Sequence, residues 1–244
     1  MTNETERALH ELKLPGMASC WNSLEETHQL DKISLRDGMQ LMLQYERDMR
    51  HSNRIQRLVK NANFRLKASV EELETDTTRG LRATDVAELS TCNYVRNGMT
   101  IIVTGPAGTG KSYLACALGE RACRNGIKVL YYTMNMLVEN LKLVHLEGRE
   151  TNFFRKLSAH DLLIIDDFGM LKLEGQMQHD FEQIIDDRYN RTALILASQL
   201  PITDWYNVFQ SEFIAEACLD RIVHKAKKMK FAAKLRKIIV ARKF

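Results

Sequence analysis

No two cysteines in this sequence have the C-x-x-C spacing of a zinc or redox site. The five present, Cys20, Cys92, Cys116, Cys123 and Cys218, are scattered. They read as reduced, mostly buried thiols of a cytoplasmic protein and argue against a structural zinc. Long apolar runs are also missing, so no segment is expected to span a bilayer and no membrane role is expected. The first residues, Met-Thr-Asn-Glu-Thr-Glu, are polar and acidic rather than a secretory leader. Internal repeats and low-complexity tracts are absent. Glycine and proline do not occur between Gly38 and Gly80, which leaves room for a long helix. Acidic residues are missing from Arg221 to Phe244, against Arg221, Lys225, Lys227, Lys228, Lys230, Lys234, Arg236, Lys237, Arg242 and Lys243. In a chain whose net charge is only +4, that concentration points to a polyanionic partner.

A length of 244 residues suits one large or two small domains, and 45% hydrophobic residues is ordinary for a globular protein. The N-terminal third is helical in pattern. Residues 9–17 read as a short helix ending at Pro15-Gly16, and residues 18–30 as a second amphipathic stretch. Ser34 is a plausible N-cap for a long helix from Leu35 to about Leu66. Thr75–Gly80 is polar and turn-forming, the best linker candidate. The expected domains are therefore 1–75, helical, and 76–244. Beyond Leu81 strand and helix patterns alternate: strands at 100–104, 128–133, 161–166 and 193–197, helices at 111–124, 134–147 and 175–189. Such alternation predicts an α/β fold, a parallel sheet with helices on both faces.

The chemistry begins at Gly105-Pro106-Ala107-Gly108-Thr109-Gly110-Lys111-Ser112, a complete G-x-x-x-x-G-K-[ST] phosphate loop between a strand and a helix. Its glycines turn backbone N–H groups onto a polyphosphate. Lys111 reaches the outer phosphates, the Ser112 hydroxyl ligates Mg²⁺, and the helix N-terminus faces the phosphates. Tyr113 follows directly and is counted among the nucleotide-binding residues. The expected cofactors are ATP and Mg²⁺. Leu162-Leu-Ile-Ile-Asp166-Asp167 is the second nucleotide motif. Its apolar run places a strand in the core of the sheet and carries Asp166 to the carboxyl edge beside the loop, where it can hold Mg²⁺. Asp167 is positioned to polarise the water that attacks the γ-phosphate. A whole strand, 128–133, lies between the two motifs; small-molecule P-loop kinases usually lack it. Ser198 or Gln199, after the strand 193–197, is placed to sense the γ-phosphate, and Gln199 is favoured because its amide offers both a donor and an acceptor. Arg221, in Leu219-Asp-Arg-Ile-Val-His224, has the place of an arginine finger that enters a neighbour's ATP site.

Arg47, Arg50, Arg54 and Arg57 are spaced three, four and three apart, on one face of the long helix. Lys60 lies on the same helix, and Asn61 and Arg65 extend the stripe. Ile55, Leu58, Val59, Ala62 and Leu66 form a core-facing strip alongside. A row of arginines at one per turn suits phosphates along duplex DNA, with little sequence preference. Lys225, Lys227, Lys228 and Lys230 in the basic C-terminal segment are a second candidate contact.

Taken together, these segments resemble the IstB-like ATPases, the transposition helper proteins of two-gene insertion sequences and AAA+ relatives of the DnaC helicase loaders. The resemblance rests on Leu12-Lys-Leu-Pro-Gly-Met17, Gly105–Ser112, Asp161-Leu-Leu-Ile-Ile-Asp-Asp-Phe-Gly169, Ser198-Gln-Leu-Pro201 with Trp205, and Leu219–His224. It implies an AAA+ P-loop core behind a small all-helical N-terminal domain, ATP-dependent self-association on DNA, and cooperation with a cognate DDE-type transposase. By motif match, Asp166 takes the Walker B metal position and Asp167 that of its acidic neighbour. Gln199 takes the sensor position, Arg221 the finger position, and Arg236 the place of a second sensor. Two departures stand out. Ala232-Ala-Lys-Leu-Arg236 replaces a segment that in the family reads close to Gly-Glu-Ser-hydrophobic-Arg. Asp167 stands where most AAA+ proteins carry Glu, and the shorter acid suggests slow hydrolysis. A helicase loader is the nearest alternative, and a small-molecule P-loop kinase the alternative of another class.

Overall fold

The computed structural model describes residues 4–232. The chain divides into two compact units, Met1–Arg57 and Leu58–Phe244.

The first unit holds helices α1 (Glu4–Glu11) and α2 (Pro15–Glu26) and most of α3 (Leu35–Ala62). Pro15 opens α2 rather than only ending α1, since a first-turn proline lacks just the N–H that a helix start leaves unbonded. Leu9, Met17, Ala18, Cys20, Leu24 and Met42 form a small core. Gly16 packs directly on α3: a Cβ there would stand 2.5 Å from the Cα of Glu46. Glu46 itself is buried, and its Oε2 accepts hydrogen bonds from the N–H groups of Gly16 (2.7 Å) and Met17 (3.2 Å). A carboxylate from α3 thus caps the start of α2. Ser34 caps α3 as its sequence suggests, accepting from the Asp37 N–H at 3.1 Å. The helix stops at Ala62 rather than Leu66 because Asn63 turns left-handed, φ +58°, a conformation Asn tolerates at a helix end. Leu66, expected on the core-facing strip, is 39% exposed.

In the second unit five strands form one all-parallel sheet. They are β1 (Thr100–Thr104), β2 (Val129–Thr133), β3 (Leu162–Phe168), β4 (Ala193–Ser198) and β5 (Lys227–Lys230), in the order β2-β3-β4-β1-β5. Successive residues feed opposite faces: Ile101, Val103, Tyr131 and Ile164 one core, Ile102, Leu130, Tyr132 and Ile165 the other. The helices are α4 (Ala83–Ser90), α5 (Asn93–Arg96), α6 (Lys111–Arg124), α7 (Met134–Leu146), α8 (Glu150–Ser158), α9 (Gln176–Arg188) and α10 (Glu212–Val223). Leu58, Val59, Ala62 and Phe64 belong to the same core as α6 and β1. Residues 58–75 therefore pack with the second unit, and the division falls inside α3, whereas the expected linker lies near residue 75.

Helices α4, α5, α8 and α10 and strand β5 are not among the expected elements. Helix α8 occupies the polar segment after α7 and buries only Phe153 and Leu157. Strand β5, Lys-Lys-Met-Lys, buries only Met229 and pairs with β1 as an edge strand; lysines on an edge also discourage pairing with another chain. No helix among the described residues is long and apolar enough to cross a membrane. All five cysteines are buried and free.

Candidate nucleotide-binding site

A parallel sheet gathers its strand ends at one edge. Here β1 ends at Thr104, beside Ser198 at the end of β4, and Asp166 on β3 pairs in register with Thr133. The loop 105–112 leaves that edge and enters α6. Gly108 and Gly110 take left-handed φ values of +73° and +95°, which keep the turn tight. Pro106, Ala107, Gly108 and Gly110 are exposed at the rim. The Thr109 hydroxyl donates to the Pro106 carbonyl at 2.9 Å, and the Lys111 ammonium donates to the same oxygen at 2.8 Å. Lys111 is 6% exposed. Burial pulls its amine below the usual lysine range, opposed by the charges of Asp166 and Asp167. A bound polyphosphate would strengthen that opposition.

Asp166 is 1% exposed, and both its oxygens are held. Oδ2 accepts from the Tyr131 hydroxyl at 2.7 Å, and Oδ1 accepts from the Asp167 N–H at 2.9 Å. Tyr131 was missed by sequence reading, because its pattern is that of a core aromatic in a buried strand. Burial first, then the nearby Asp166 charge and hydrogen bond, push the Tyr131 phenol far up, so it remains a donor. Asp167 sits in an irregularity between Ile165 and Phe168 that shifts the β3–β4 register. Its φ is +55°, and the bulge turns it out of the ladder. Its Oδ2 lies 3.1 Å from Nη1 of Arg65. Arg65 therefore does not extend the helical stripe; it lies beyond α3 and meets Asp167 at the carboxyl end of β3.

The other named residues divide clearly. Ser198 is structural: its hydroxyl donates to the Phe168 carbonyl at 2.6 Å and accepts from the Leu200 N–H at 3.1 Å. Gln199 follows it, half-buried, with no side-chain hydrogen bond among the described residues. Trp205 is fully buried against Phe168, ring centroids 4.7 Å apart, so the segment after Ser198-Gln-Leu-Pro201 braces the strand carrying Asp166 and Asp167. Arg221 is held by Asp186 on α9 (Nε to Oδ1, 3.0 Å) and by the Ala217 carbonyl (2.8 Å). It lines a pocket with Met99, Thr100 and Leu194 at the amino ends of β1 and β4. That is the edge opposite the phosphate loop. Lys227 is engaged with Asp85 and Glu88, whereas Lys225 and Lys228 are exposed. Arg47, Arg54, Arg57 and Lys60 are exposed, and Arg50 pairs with Glu46 at 2.6 Å. Arg236 lies outside the described residues.

Beside the loop, a cavity of about 190 Å³ is lined by Glu72, Leu73, Glu74, Leu81, Thr109, Gly110, Tyr113 and Phe231. The Phe231 N–H donates to the Thr104 carbonyl at 2.7 Å, which brings the chain after β5 over the start of the loop. An apolar slot with a few polar groups next to a phosphate cradle suits a nucleobase.

The chain matches the family described as IstB-like ATP binding protein over residues 7–237. It is 33% identical over 226 residues (93% of this chain, 92% of the other) to a Sinorhizobium fredii (strain NBRC 101917 / NGR234) protein named as an insertion sequence ATP-binding protein, y4pL. It is 37% identical over 205 residues (82% of this chain, 87% of the other) to the protein named as the ATP-binding protein of insertion sequence IS1162 from Pseudomonas fluorescens. Among solved structures, the DnaC helicase loader is similar with a TM-score of 0.56 at 18% identity, over 67% of this chain and 96% of that one. The replication initiator DnaA bound to AMPPCP and single-stranded DNA gives 0.58 at 19% identity, over 70% and 52%. Those two likenesses bear on the fold, which is that of an AAA+ P-loop protein. The family match spans the loop, the Asp166-Asp167 strand and Arg221, and with it the chain belongs to the IstB-like ATP binding proteins.

Proposed function

We propose that this protein is an ATPase whose nucleotide state times its assembly on duplex DNA, and that the assembly recruits or regulates the transposase of the same element. The observation that carries the proposal is the position of Arg221. It stands at the amino edge of the sheet, with Asp186, while the phosphate loop stands at the carboxyl edge. An arginine so placed completes the site of the next subunit rather than its own, which makes ATP part of a subunit interface.

Lys111 and the loop N–H groups hold the phosphates, and Gln199 contacts the γ-phosphate. The Ser112 hydroxyl and the Asp166 carboxylate are hard oxygen donors, the set that Mg²⁺ takes together with phosphate oxygens. The ion supplies charge neutralisation across the phosphates. Asp167 accepts a proton from the attacking water. Hydrolysis is slow because a short acid must reach that water, and DNA or the partner accelerates it. The exposed arginines of α3, with Lys60, Lys225 and Lys228, meet the DNA backbone. The names of the relatives as insertion sequence ATP-binding proteins support the transposition setting.

The decisive experiment mixes two inactive variants, Lys111→Ala and Arg221→Ala. Each alone is expected to hydrolyse little ATP. A mixture is expected to regain activity, because some interfaces pair an intact loop with an intact arginine. Wild-type turnover in Arg221→Ala alone would remove the finger. DNA-bound oligomers that form equally well without nucleotide would remove the switch.

A further inference from the structure

The contact between Arg65 and Asp167 joins residues 102 apart in sequence. Arg65 follows the end of α3 with only Asn63 and Phe64 between. The backbone that delivers it is anchored. Phe64 meets Tyr131 edge-on, ring centroids 6.3 Å apart. Its ring also lies close over α6, where a Cβ on Gly119 would stand 2.5 Å from the Phe64 Cε1. Two adjacent residues thus touch the surroundings of both carboxylates. Phe64 packs on the tyrosine that holds Asp166, and Arg65 holds Asp167 itself.

We propose that Arg65 is a positioning residue that restrains Asp167. While the ion pair is closed, the guanidinium takes the carboxylate oxygen that would otherwise accept the proton. Hydrolysis proceeds from molecules in which the pair is open. In those, a water oxygen bonds to the γ-phosphorus, the bond from that phosphorus to the bridging oxygen breaks, and ADP leaves with the bond electrons. One proton of the water passes to Asp167. The inference rests on the reading of Asp167 as the proton acceptor.

The pair suits a restraint rather than a block. The Arg65 side chain is 57% exposed and that of Asp167 31%. An ion pair so open to solvent biases its own equilibrium by about fivefold at most. Its opening requires no disruption of the core, because Phe64 stays packed while the arginine stem rotates.

The test uses the full chain with Arg65→Ala, Arg65→Gln and Arg65→Lys. The readouts are turnover and, separately, the equilibrium Kd for a fluorescent N-methylanthraniloyl ATP. The expected result is a kcat about two- to fivefold higher in the alanine and glutamine variants. The lysine variant should stay near wild type, and Kd should stay within about twofold in all three. An unchanged or lower kcat in both the alanine and glutamine variants overturns the proposal; a large fall would make Arg65 a cation acting on the phosphates. A parallel shift in Kd also overturns it, by showing that the loop itself has been disturbed. Asp167→Asn separates the two readings. Wild-type turnover there removes Asp167 as the acceptor. An inactive Asp167→Asn beside unaccelerated Arg65 variants removes only the restraint.

Discussion

Tyr131 donates its hydroxyl to Oδ2 of Asp166 across 2.7 Å, from one buried strand to the next. The other Asp166 oxygen accepts the N–H of Asp167. With both oxygens held, the carboxylate has a set orientation before any ligand arrives, which lowers the ordering cost of binding a cation. Tyr131→Phe keeps the ring and removes only the donor. It is expected to weaken Mg²⁺-dependent turnover, with the Mg²⁺ midpoint rising about tenfold. The fold should survive, because the aromatic packing with Phe64 remains. Turnover measured across a Mg²⁺ series checks this. An unchanged midpoint would mean that the hydroxyl only fills the core.

The helical unit hangs on an equally local device, the Glu46 carboxylate at the start of α2. Burial pushes the Glu46 carboxyl up, but bonds from Arg50, Met17 and Gly16 outweigh it, and the net shift is below the ordinary 4.5. A carboxylate whose folded value is depressed contributes stability above its unfolded value, and loses it as pH falls through the folded one. Glu46→Gln is expected to cost about 1–2 kcal/mol at pH 7. The gap to wild type should narrow below about pH 4.5. Amide exchange in α2, followed from pH 7 to pH 3, reads both effects. A gap that widens on acidification would reverse the sign argued here.

The arginines of α3 are not equivalent. Arg50 is bonded to Glu46 and to the Lys13 carbonyl, while Arg47, Arg54 and Arg57 are exposed without such partners among the described residues. Replacing Arg47, Arg54 and Arg57 together by alanine should reduce the salt slope of duplex binding by about 2–3, near 0.9 for each phosphate that is no longer neutralised. Arg50→Ala should change the slope less and loosen α2 more. Binding titrations at several salt concentrations decide this. Equal slopes in the wild type and the triple variant would place the DNA elsewhere.

What was legible in the sequence was what a short stretch of backbone encodes by itself. The phosphate loop is such a stretch, and so are the apolar strand ending in Asp166 and the Ser34 cap. Contacts made by distant residues were not legible. Tyr131 reads as one more apolar residue until β2 is laid beside β3. Arg65 reads as the next charge on a helical stripe until Asn63 ends the helix. Strand β5 was hidden because its lysines carry no apolar alternation, and it is held by pairing with β1 rather than by burial. Among the described residues the basic C-terminal run is accordingly not one surface, since Lys227 is engaged by Asp85 and Glu88.

The same bulge that turns Asp167 outward gives a backbone reason for aspartate at this position. At φ +55° a longer side chain is disfavoured, whereas Asp and Asn tolerate the left-handed region. Asp167→Asn should therefore keep the local structure and ATP-dependent assembly while turnover falls by roughly 10²–10⁴, the usual worth of a general base. Asp167→Glu carries the extra methylene toward the attacking water but meets the strained backbone, at a cost of about 1 kcal/mol. Its Tm should drop by roughly 2–4 °C while its turnover rises. Thermal unfolding and steady-state hydrolysis of the two variants separate the effects. If Asp167→Glu melts with the wild type, backbone strain does not select aspartate here. If it melts lower but hydrolyses no faster, the length of the acid does not set the rate.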